Sequence, residues 1–211
     1  MIDLYTWTTP NGRKASIMLE EVGLPYKAIP VDIRAGAQFD AGFLKISPNN
    51  KIPAIVDRDN GISLMESGAI LFYLAEKTGR LMPAASPAKW NVMEWLMMQM
   101  GSVGPMLGQT HHFNHFNPDK SEYARQRYLK ETARIYGVLD KRLGEAQYLA
   151  GDYSIADIAT WPWISRYAWH GIDWANHPNL KRWYTAIAAR PAVARGYDVP
   201  RFVNPIPLPD E

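Results

Sequence analysis

The chain has 211 residues, of which 47% are hydrophobic, 12% aromatic and 21% charged. This composition is typical of a folded globular protein and excludes a disordered one, and the length allows one large domain or two small ones. Lys and Arg number 23 against 21 Asp and Glu, so the formal charge is only +2. Because no block of like charge stands out, the sequence does not favour a nucleic acid as partner.

The sequence contains no cysteine. This excludes disulfide bonds, cysteine-ligated zinc, iron–sulfur clusters and a nucleophilic protein thiol. Any thiol chemistry must therefore use the sulfur of another molecule. The first residues lack the basic and apolar regions of a signal peptide, and no apolar run approaches the roughly 18 residues of a membrane span. We therefore expect a cytoplasmic protein without a membrane partner.

The N-terminal residues alternate strand patterns with a helical one. Ile2-Asp3-Leu4-Tyr5 is typical of a short strand. The turn-forming cluster Thr9-Pro10-Asn11-Gly12 follows and introduces an amphipathic helix, for which Asn11 is the predicted cap. Gly23-Leu24-Pro25 ends this helix, and Tyr26 to Val31 is predicted to be a second strand. The order is that of a βαβ unit.

A second group of elements follows after a short helical stretch. Two strands are predicted, Ala54-Ile55-Val56 and Ile62-Ser63-Leu64-Met65, and the Asn60-Gly61 pair between them is a strong hairpin signal. Ser67 is then the predicted cap of a helix that Gly79 closes. The order β-α-β, then α-β-β-α, is typical of a thioredoxin-like sheet.

The rest of the chain is predicted to be helical. Ser154 and Asp157 form a capping box, a strong helix-start signal that explains Asp157 without a catalytic role. Other helices are predicted near 88–106, near 120–143, from about Asn179 and from about Pro191. The sequence therefore predicts an α/β thioredoxin-like domain over residues 1–80, a linker over 81–87, and an all-α C-terminal domain over 88–211.

Four motifs carry a resemblance to a known family. They are Thr9-Pro10-Asn11-Gly12, Ser47-Pro48-Asn49-Asn50-Lys51-Ile52-Pro53-Ala54-Ile55, Glu66-Ser67-Gly68-Ala69-Ile70 and Gly104-Pro105-Met106-Leu107-Gly108-Gln109. With them the chain resembles the glutathione transferase superfamily over nearly its whole length, and in particular the bacterial nu class of glutathione-dependent disulfide-bond oxidoreductases. The first motif separates this class from relatives that place a catalytic Tyr, Ser or Cys near the first helix. The resemblance implies the glutathione transferase fold, with glutathione as co-substrate and no metal.

The resemblance implies two contacts to the peptide part of glutathione. Pro53 is cis in this family, which lets Ile52 pair with the cysteinyl backbone as an added strand; the alternative is that Pro53 merely begins a strand. Glu66 and Ser67 stand at a predicted helix N-terminus, where N–H groups and the helix dipole favour the γ-glutamyl carboxylate. Glu66 would accept from the γ-glutamyl ammonium. The alternative for the pair is an ordinary helix cap preceded by a solvated acid.

Thr9 and Asn11 are the predicted donors to the glutathione sulfur. A free thiol has a pKa of about 8.5, and lowering it by two units needs about 2.7 kcal/mol. A helix N-terminus supplies up to ~2 kcal/mol and a hydrogen bond to a charged group ~1.5–3 kcal/mol, so both terms together suffice. Turn and cap chemistry is the alternative role for both residues. Tyr5 is the rival donor, although its position in a strand favours a core role.

Two further contacts come from the resemblance alone. Gln38 lies in a loop of the first domain, and Arg127 is implied to reach the γ-glutamyl end from the neighbouring subunit of a homodimer. By residue type, both are usually surface residues. His111, His112 and His115 have a spacing that metal ligands can take, but no carboxylate lies nearby in the sequence and a metal is not favoured.

The predicted activity is the reduction of disulfide substrates by thiol–disulfide exchange with two bound glutathione molecules, one of which supplies the attacking thiolate. One alternative is conjugation of electrophiles or reduction of organic hydroperoxides with the same activated sulfur. Another is a non-catalytic glutathione-binding dimer. Gln109, His112 and Phe113 are candidates for the substrate pocket.

Overall fold

The computed structural model of the chain describes residues 1–209 and begins with a four-stranded sheet in the order β2-β1-β3-β4. The strands are β1 (Ile2–Thr6), β2 (Tyr26–Pro30), β3 (Ala54–Asp57) and β4 (Ser63–Met65). β1 pairs with β2 in parallel and with β3 in antiparallel orientation, and β3 and β4 form an antiparallel hairpin. Gly61 has a φ of 75° between them. The thioredoxin-like sheet and the hairpin are therefore confirmed.

Three helices accompany the sheet: α1 (Pro10–Val22), α2 (Ala41–Leu44) and α3 (Ser67–Thr78). The alternation along β1 buries Ile2 and Leu4, and Ile55 of β3 is also fully buried. α1 buries Ile17 and Met18 at less than 2% exposure. One apolar core therefore fixes α1 in place, and with it the residues at the start of that helix.

The predicted cap of α1 is wrong by two positions. Thr9 has an extended backbone, and its hydroxyl oxygen accepts from the Gly12 N–H at 3.2 Å. Pro10 is the first helical residue, where its fixed φ suits the helix and its missing N–H costs nothing. Asn11 therefore lies inside the first turn. Gly23 ends the helix in the left-handed conformation, as its position after Val22 predicts.

Ser67 is also not the cap that the sequence predicts. The residue before the helix is Glu66, with φ 69° and ψ 116°, and Ser67 is the first residue of α3. The chain turns sharply at Glu66 as it leaves β4, so the helix begins one residue earlier than the serine-cap pattern indicates. Glu66 makes no capping hydrogen bond with its side chain. Gly79 closes α3 in the left-handed conformation, and that prediction is confirmed.

The remaining elements are helical. They are α4 (Ala88–Met98), α5 (Gly104–Thr110), α6 (Glu122–Glu145), α7 (Ile155–Ile164), α8 (Tyr167–His170), α9 (Pro178–Ala188) and α10 (Pro191–Tyr197). π-helical segments, Gln99–Val103 and His111–Phe116, follow α4 and α5. The capping box at the start of α7 is confirmed. The Ser154 hydroxyl accepts from the backbone of the first turn, and the Asp157 carboxylate accepts from the Ser154 N–H.

The chain divides into two compact units. The first unit combines Met1–Met82 with Ala189–Ile206, and the second contains Pro83–Ala188 and the described residues from Pro207 onward. The predicted domain 88–211 differs from this division, because α10 packs on α1 of the first unit. Its final positions, 210 and 211, lie outside the described residues.

α10 is held on α1 by close packing and by charge. A Cβ atom on Gly196 would lie 2.6 Å from Ile17 Cα, so only glycine lets the two helices approach this closely. Arg13 donates from Nε to the Tyr197 carbonyl at 3.1 Å. Two ion pairs add to this contact, Arg190 with Glu21 and Arg195 with Glu20. A helical pattern in sequence does not reveal which surface a helix covers, so the sequence assigned α10 to the second domain.

Candidate functional site

The first part of the candidate site is the start of α1. Thr9 and Asn11 are both half-buried there, on either side of Pro10. A Cβ atom on Gly12 would lie 2.1 Å from the Trp7 carbonyl oxygen, so glycine is required for the turn that leads into the helix. The positive end of the helix dipole and the polar groups of Thr9 and Asn11 meet at this turn. The arrangement can stabilise an anion such as a thiolate.

Tyr5 is half-buried and borders the core of the first unit. Its ring packs on Phe43 with the centroids 6.1 Å apart, and it borders a buried cluster that contains Trp7, Ile52 and Ala54. The strand position that favours a core role for Tyr5 in the sequence therefore corresponds to packing in the structure.

The Ile52–Pro53 peptide bond is cis, as the resemblance implies. Ile52 is buried at 9% exposure in the same cluster as Trp7. The sheet register begins one residue after Pro53, with Ala54 opposite Met65. Ile52 therefore lies two residues before β3, outside the hydrogen-bonded pairing of β3 with β4.

The second part of the candidate site is the start of α3. Ser67 is buried at 4% exposure, whereas Glu66 is exposed and accepts from the Asn49 amide at 3.4 Å. The positive φ of Glu66 is uncommon for a residue other than glycine, and such strained conformations cluster at functional sites. The acidic side chain and the N-terminal end of α3 are thus held side by side, which suits a ligand that carries both charges.

Lys14 is a residue of this site that the sequence analysis missed. Its side chain is only 1% exposed, and Nζ donates to Ser67 Oγ at 3.2 Å. Burial lowers the pKa of Lys14 to about 7, and the nearby charge of Glu66 partly offsets that effect. The spacing of Lys14 with Ile17 and Met18 on α1 is the available signal, because it places the lysine on the buried face of the helix.

α1 links the two parts of the site. Asn11 and Lys14 are three residues apart on one helix, which corresponds to about 4.5 Å along its axis. Thr9 caps the first turn of α1, which contains Asn11, and the next turn supplies the ammonium group that donates to Ser67. α1 therefore carries polar residues of both parts of the candidate site on consecutive turns.

Gln38 and Arg127 are placed in different units. Gln38 lies in a short 3₁₀ turn, Ala37–Phe39, and its Oε1 atom is buried without a hydrogen-bond partner within the described part of the chain. Arg127 is exposed on α6 and lines a cavity of about 880 Å³ in the second unit. The same cavity is lined by Met106, Tyr123, Gln126, Tyr128, Lys130, Glu131 and Arg134. It is rich in cations and suits an anionic group.

The histidine-rich segment after α5 has a role that the sequence did not predict. His111 is buried, and its Nε2 lies 2.7 Å from Nε2 of His170, whose Nδ1 lies 2.7 Å from the Tyr136 hydroxyl. Within residues 1–209 no group of three or more potential ligands has metal-binding geometry. His112 packs edge-on against Phe113, which in turn stacks on Tyr128. Gln109 is exposed on α5.

Comparison with known families gives the class of the protein. The family model for the N-terminal domain of glutathione S-transferase matches residues 1–76, and the model for the C-terminal domain matches residues 94–191. The fold agrees, with a four-stranded mixed sheet in the first unit and helices in the second. The chain belongs to the glutathione S-transferase family.

Individual relatives within this family are similar to the chain over most of its length. The chain is 51% identical over 201 residues to the disulfide-bond oxidoreductase YfcG of Escherichia coli (strain K12), a match that covers 92% of this chain and 94% of YfcG. A glutathione transferase from Burkholderia graminis, solved with two glutathione molecules bound per subunit, is 44% identical with a TM-score of 0.90, covering 94% of this chain and 88% of that one.

A third relative was solved with glutathione disulfide, the oxidised form of glutathione. This glutathione transferase from Pseudomonas putida, with one glutathione disulfide bound per subunit, is 41% identical with a TM-score of 0.90, covering 94% of this chain and 91% of that one. Among the residues that the structure describes, no helix has the length and apolar character needed to cross a membrane.

Proposed function

We propose that the protein is a glutathione-dependent disulfide-bond oxidoreductase. The observation that carries this proposal is the start of α1, where the polar side chains of Thr9 and Asn11 stand at the positive end of the helix dipole, in a chain that contains no cysteine. A thioredoxin-like domain without its own sulfur can perform thiol chemistry only with a bound thiol. The glutathione bound to the Burkholderia graminis and Pseudomonas putida relatives supports this choice of thiol.

Glutathione is expected to lie along the first unit with its γ-glutamyl end at α3. Its carboxylate would meet Ser67 and the N-terminal end of that helix, and its ammonium would meet Glu66. The cysteinyl backbone would pair with Ile52, which precedes the cis Pro53. Gln38, in the 3₁₀ turn Ala37–Phe39, would contact the same peptide. In this pose the sulfur points toward Thr9 and Asn11.

The sulfur is activated without a protein base. The end of the α1 dipole and one hydrogen bond to the thiolate together supply the roughly 2.7 kcal/mol that lowers a thiol pKa by two units. Donors for this bond are the Thr9 hydroxyl and the Asn11 amide or backbone N–H. Thr9 Oγ1 already accepts from Gly12, so its hydroxyl proton is directed toward another acceptor.

The reaction then consists of two exchange steps. The bound glutathione thiolate attacks one sulfur of the substrate disulfide, which releases one substrate thiolate and forms a mixed disulfide. The thiolate of a second glutathione attacks the glutathione sulfur of that mixed disulfide. This step releases the second substrate thiolate and leaves glutathione disulfide. Two glutathiones are oxidised for each disulfide reduced, and two protons from the glutathione thiols end on the substrate thiols.

We further propose a cytoplasmic homodimer. Arg127 is exposed beside Lys130 and Arg134 on α6, and such a cationic surface suits the γ-glutamyl carboxylate of a glutathione held by the neighbouring subunit. A supply of reduced glutathione is needed for turnover, and the cytoplasm maintains one. Gel filtration with light scattering tests the dimer: a monomer at working concentration contradicts it.

The activity is tested with hydroxyethyl disulfide and reduced glutathione. We expect turnover that requires glutathione and that is unchanged after the protein has been treated with iodoacetamide and freed of the reagent, because the chain has no thiol to alkylate. Asn11→Ala should lower kcat/KM about 10- to 100-fold, the size of one lost hydrogen bond to a charged group. Tight glutathione binding without turnover would instead support a non-catalytic binding protein.

The competing activity is conjugation of glutathione to electrophiles, the reaction for which the glutathione S-transferase family is named. The same thiolate can attack chlorodinitrobenzene or an organic hydroperoxide in place of a disulfide. A kcat/KM for chlorodinitrobenzene above that for hydroxyethyl disulfide would favour a conjugating transferase over the reductase. The cumene hydroperoxide rate, measured in parallel, tests the peroxidase alternative.

A further inference from the structure

Lys14 is buried to a degree that is rare for lysine. Its side chain is 1% exposed, on the face of α1 that packs toward α3, and Nζ lies 3.2 Å from Ser67 Oγ. Lysine is almost never this buried unless a partner holds it. The ammonium therefore lies directly behind the first residue of α3, at the end of the helix that is expected to bind a carboxylate.

The hydrogen bond between these residues has a direction. An ammonium group has donors only, so Ser67 Oγ accepts from Lys14 and the hydroxyl proton of Ser67 is directed to another acceptor. Lys14 thereby polarises Ser67 as a donor toward that acceptor. Glu66 supplies a negative charge next to the same position. A positive and a negative group side by side match the carboxylate and ammonium of an α-amino acid, which is what the γ-glutamyl end of glutathione presents.

The protonation of Lys14 depends on its neighbours. Burial disfavours the ammonium and lowers the pKa of Lys14 to about 7, although the charge of Glu66 raises it in part. At neutral pH the ammonium and the neutral amine are therefore both populated. A ligand carboxylate at Ser67 brings a second negative charge close to Nζ, and that charge favours the ammonium.

The other charged groups on the elements that pack against α1 are engaged elsewhere. Arg13 on α1 itself donates to the Tyr197 carbonyl, and Asp3 on β1 pairs with Arg58. From α10, the ion pairs are Arg190 with Glu21 and Arg195 with Glu20, toward the opposite end of α1. Glu66 is therefore the charged group that acts on Lys14 from α3.

We propose that Lys14 is a positioning residue of the γ-glutamyl site, which acts through Ser67 and couples binding of the ligand carboxylate to uptake of a proton by Nζ. The proton comes from solvent and no covalent bond changes. This inference rests on the proposed function, because it takes glutathione as the ligand. A purely structural lysine would instead keep the same protonation in the free and bound protein.

The test uses S-methylglutathione, which keeps the γ-glutamyl end but has no thiol proton. Titration calorimetry in two buffers of different ionisation enthalpy measures the protons exchanged on binding. We expect an uptake of about half a proton at pH 7, where half of Lys14 is neutral, more at pH 8 and almost none at pH 6. The Kd should rise above pH 7 and approach a tenfold increase per pH unit.

Two substitutions of Lys14 distinguish the effect of its positive charge on the Kd from the proton uptake on binding. Lys14→Met removes the charge at similar length, and we expect no proton uptake and a Kd about tenfold higher at pH 6. Lys14→Arg keeps a permanent charge, so its Kd at pH 6 should stay within about threefold of the wild type, again without proton uptake. Lys27→Met is the matched control, because Lys27 is exposed on β2 and should change neither quantity.

Binding of S-methylglutathione by the wild type without proton exchange between pH 6 and pH 8 would overturn the proposal, as would unchanged proton uptake in Lys14→Met. If Lys14→Met does not fold, the comparison of the wild type with Lys14→Arg still tests the proposal, because only the wild type should take up a proton on binding. If the wild type neither binds S-methylglutathione nor reduces hydroxyethyl disulfide, the proposed function itself is contradicted. Turnover and binding without proton uptake would contradict only the role of Lys14.

Discussion

His170 Nε2 lies 2.7 Å from His111 Nε2, and Nδ1 of the same His170 lies 2.7 Å from the Tyr136 hydroxyl. Burial lowers the pKa of His111 to about 3, with the charges of Arg166 and His115 adding to the effect, and burial likewise lowers the pKa of His170. Both rings are therefore neutral at pH 7. Each neutral ring has one N–H, so the hydrogen bonds run in one direction along the chain, either from Tyr136 to His111 or the reverse.

This histidine pair predicts a loss of stability in acid. In the unfolded chain both histidines bind protons below a pKa of about 6.5, whereas the folded state keeps them neutral, so the free energy of unfolding falls as pH decreases. For His111 the loss begins near pH 6.5 and continues toward its folded pKa of about 3. The limiting slope is about 1.4 kcal/mol per pH unit for each histidine. Urea unfolding at pH 7, 6 and 5 measures it.

Substitution of one histidine tests the assignment. His111→Phe keeps an aromatic ring against Trp163 and removes one titrating group, so the slope between pH 6 and pH 5 should fall by about half. At pH 7 the variant should lose about 1–3 kcal/mol, because the chain of hydrogen bonds is broken. His112→Phe, at an exposed position, is the control and should keep the wild-type slope. An unchanged slope in His111→Phe would refute the explanation.

The contact between α1 and α10 predicts opposite effects for two glycine substitutions. Gly196→Ala places a Cβ atom 2.6 Å from Ile17 Cα, and we expect a loss of about 1–3 kcal/mol because backbone atoms must move. Gly137→Ala, inside α6, meets no atom within 4 Å and should gain about 0.5–1 kcal/mol from helix propensity. Urea unfolding at one fixed protein concentration compares them. Equal effects would contradict the packing described.

Asp157 predicts a strong effect from a substitution that keeps its shape but removes one of its acceptor oxygens. Oδ1 accepts from the Leu149 N–H and the Trp183 indole at 3.0 and 2.8 Å, and Oδ2 accepts from the Ser154 N–H at 3.0 Å. In Asp157→Asn one of these oxygens becomes an NH₂ group that faces a donor, so we expect a loss of about 2–3 kcal/mol. Asp152→Asn, at an exposed position, should cost less than about 0.5 kcal/mol. Thermal unfolding of both variants, with circular dichroism of the native state, provides the measurement.

Asn11 and Tyr5 predict different effects on the glutathione thiol. If Asn11 and the start of α1 stabilise the thiolate, Asn11→Ala should raise the pKa of bound glutathione by about one unit or more. Tyr5→Phe should leave this pKa nearly unchanged, because the Tyr5 ring packs on Phe43 at the border of the core. The thiolate absorbance near 240 nm, followed against pH, reports the value directly. A rise in Tyr5→Phe as large as that in Asn11→Ala would make Tyr5 the donor.

Local signals allowed much of the fold to be predicted from the sequence. The strand patterns around Leu4 and Ile55, the Asn60-Gly61 turn and the capping box at Ser154 each depend on residues that are neighbours in the chain, and these predictions are confirmed. The cap at Asn11 was wrong although Thr9 before Pro10 is itself a helix-start signal. The cap at Ser67 was wrong because the residue type of Glu66 does not specify the positive φ with which the chain enters that helix.

What depends on distant contacts could not be predicted. Lys14 reaches Ser67 across 53 positions, and His111 reaches His170 across 59, so no short motif contains either pair. The sequence indicates at most that Lys14 lies on an otherwise apolar helix face. The positions assigned to glutathione binding came from motifs, and their roles remain predictions that the experiments above test.

The placement of α10 affects how the protein is made. Arg13 of α1 precedes its partner Tyr197 by 184 positions, and Gly196, which packs on Ile17, lies next to Tyr197 on α10. A ribosome therefore synthesises the whole segment Pro83–Ala188 of the second unit before α10 can complete the first unit. The buried Arg13 has its Tyr197 partner only at that stage, so an arrested or truncated chain would expose a cationic helix face.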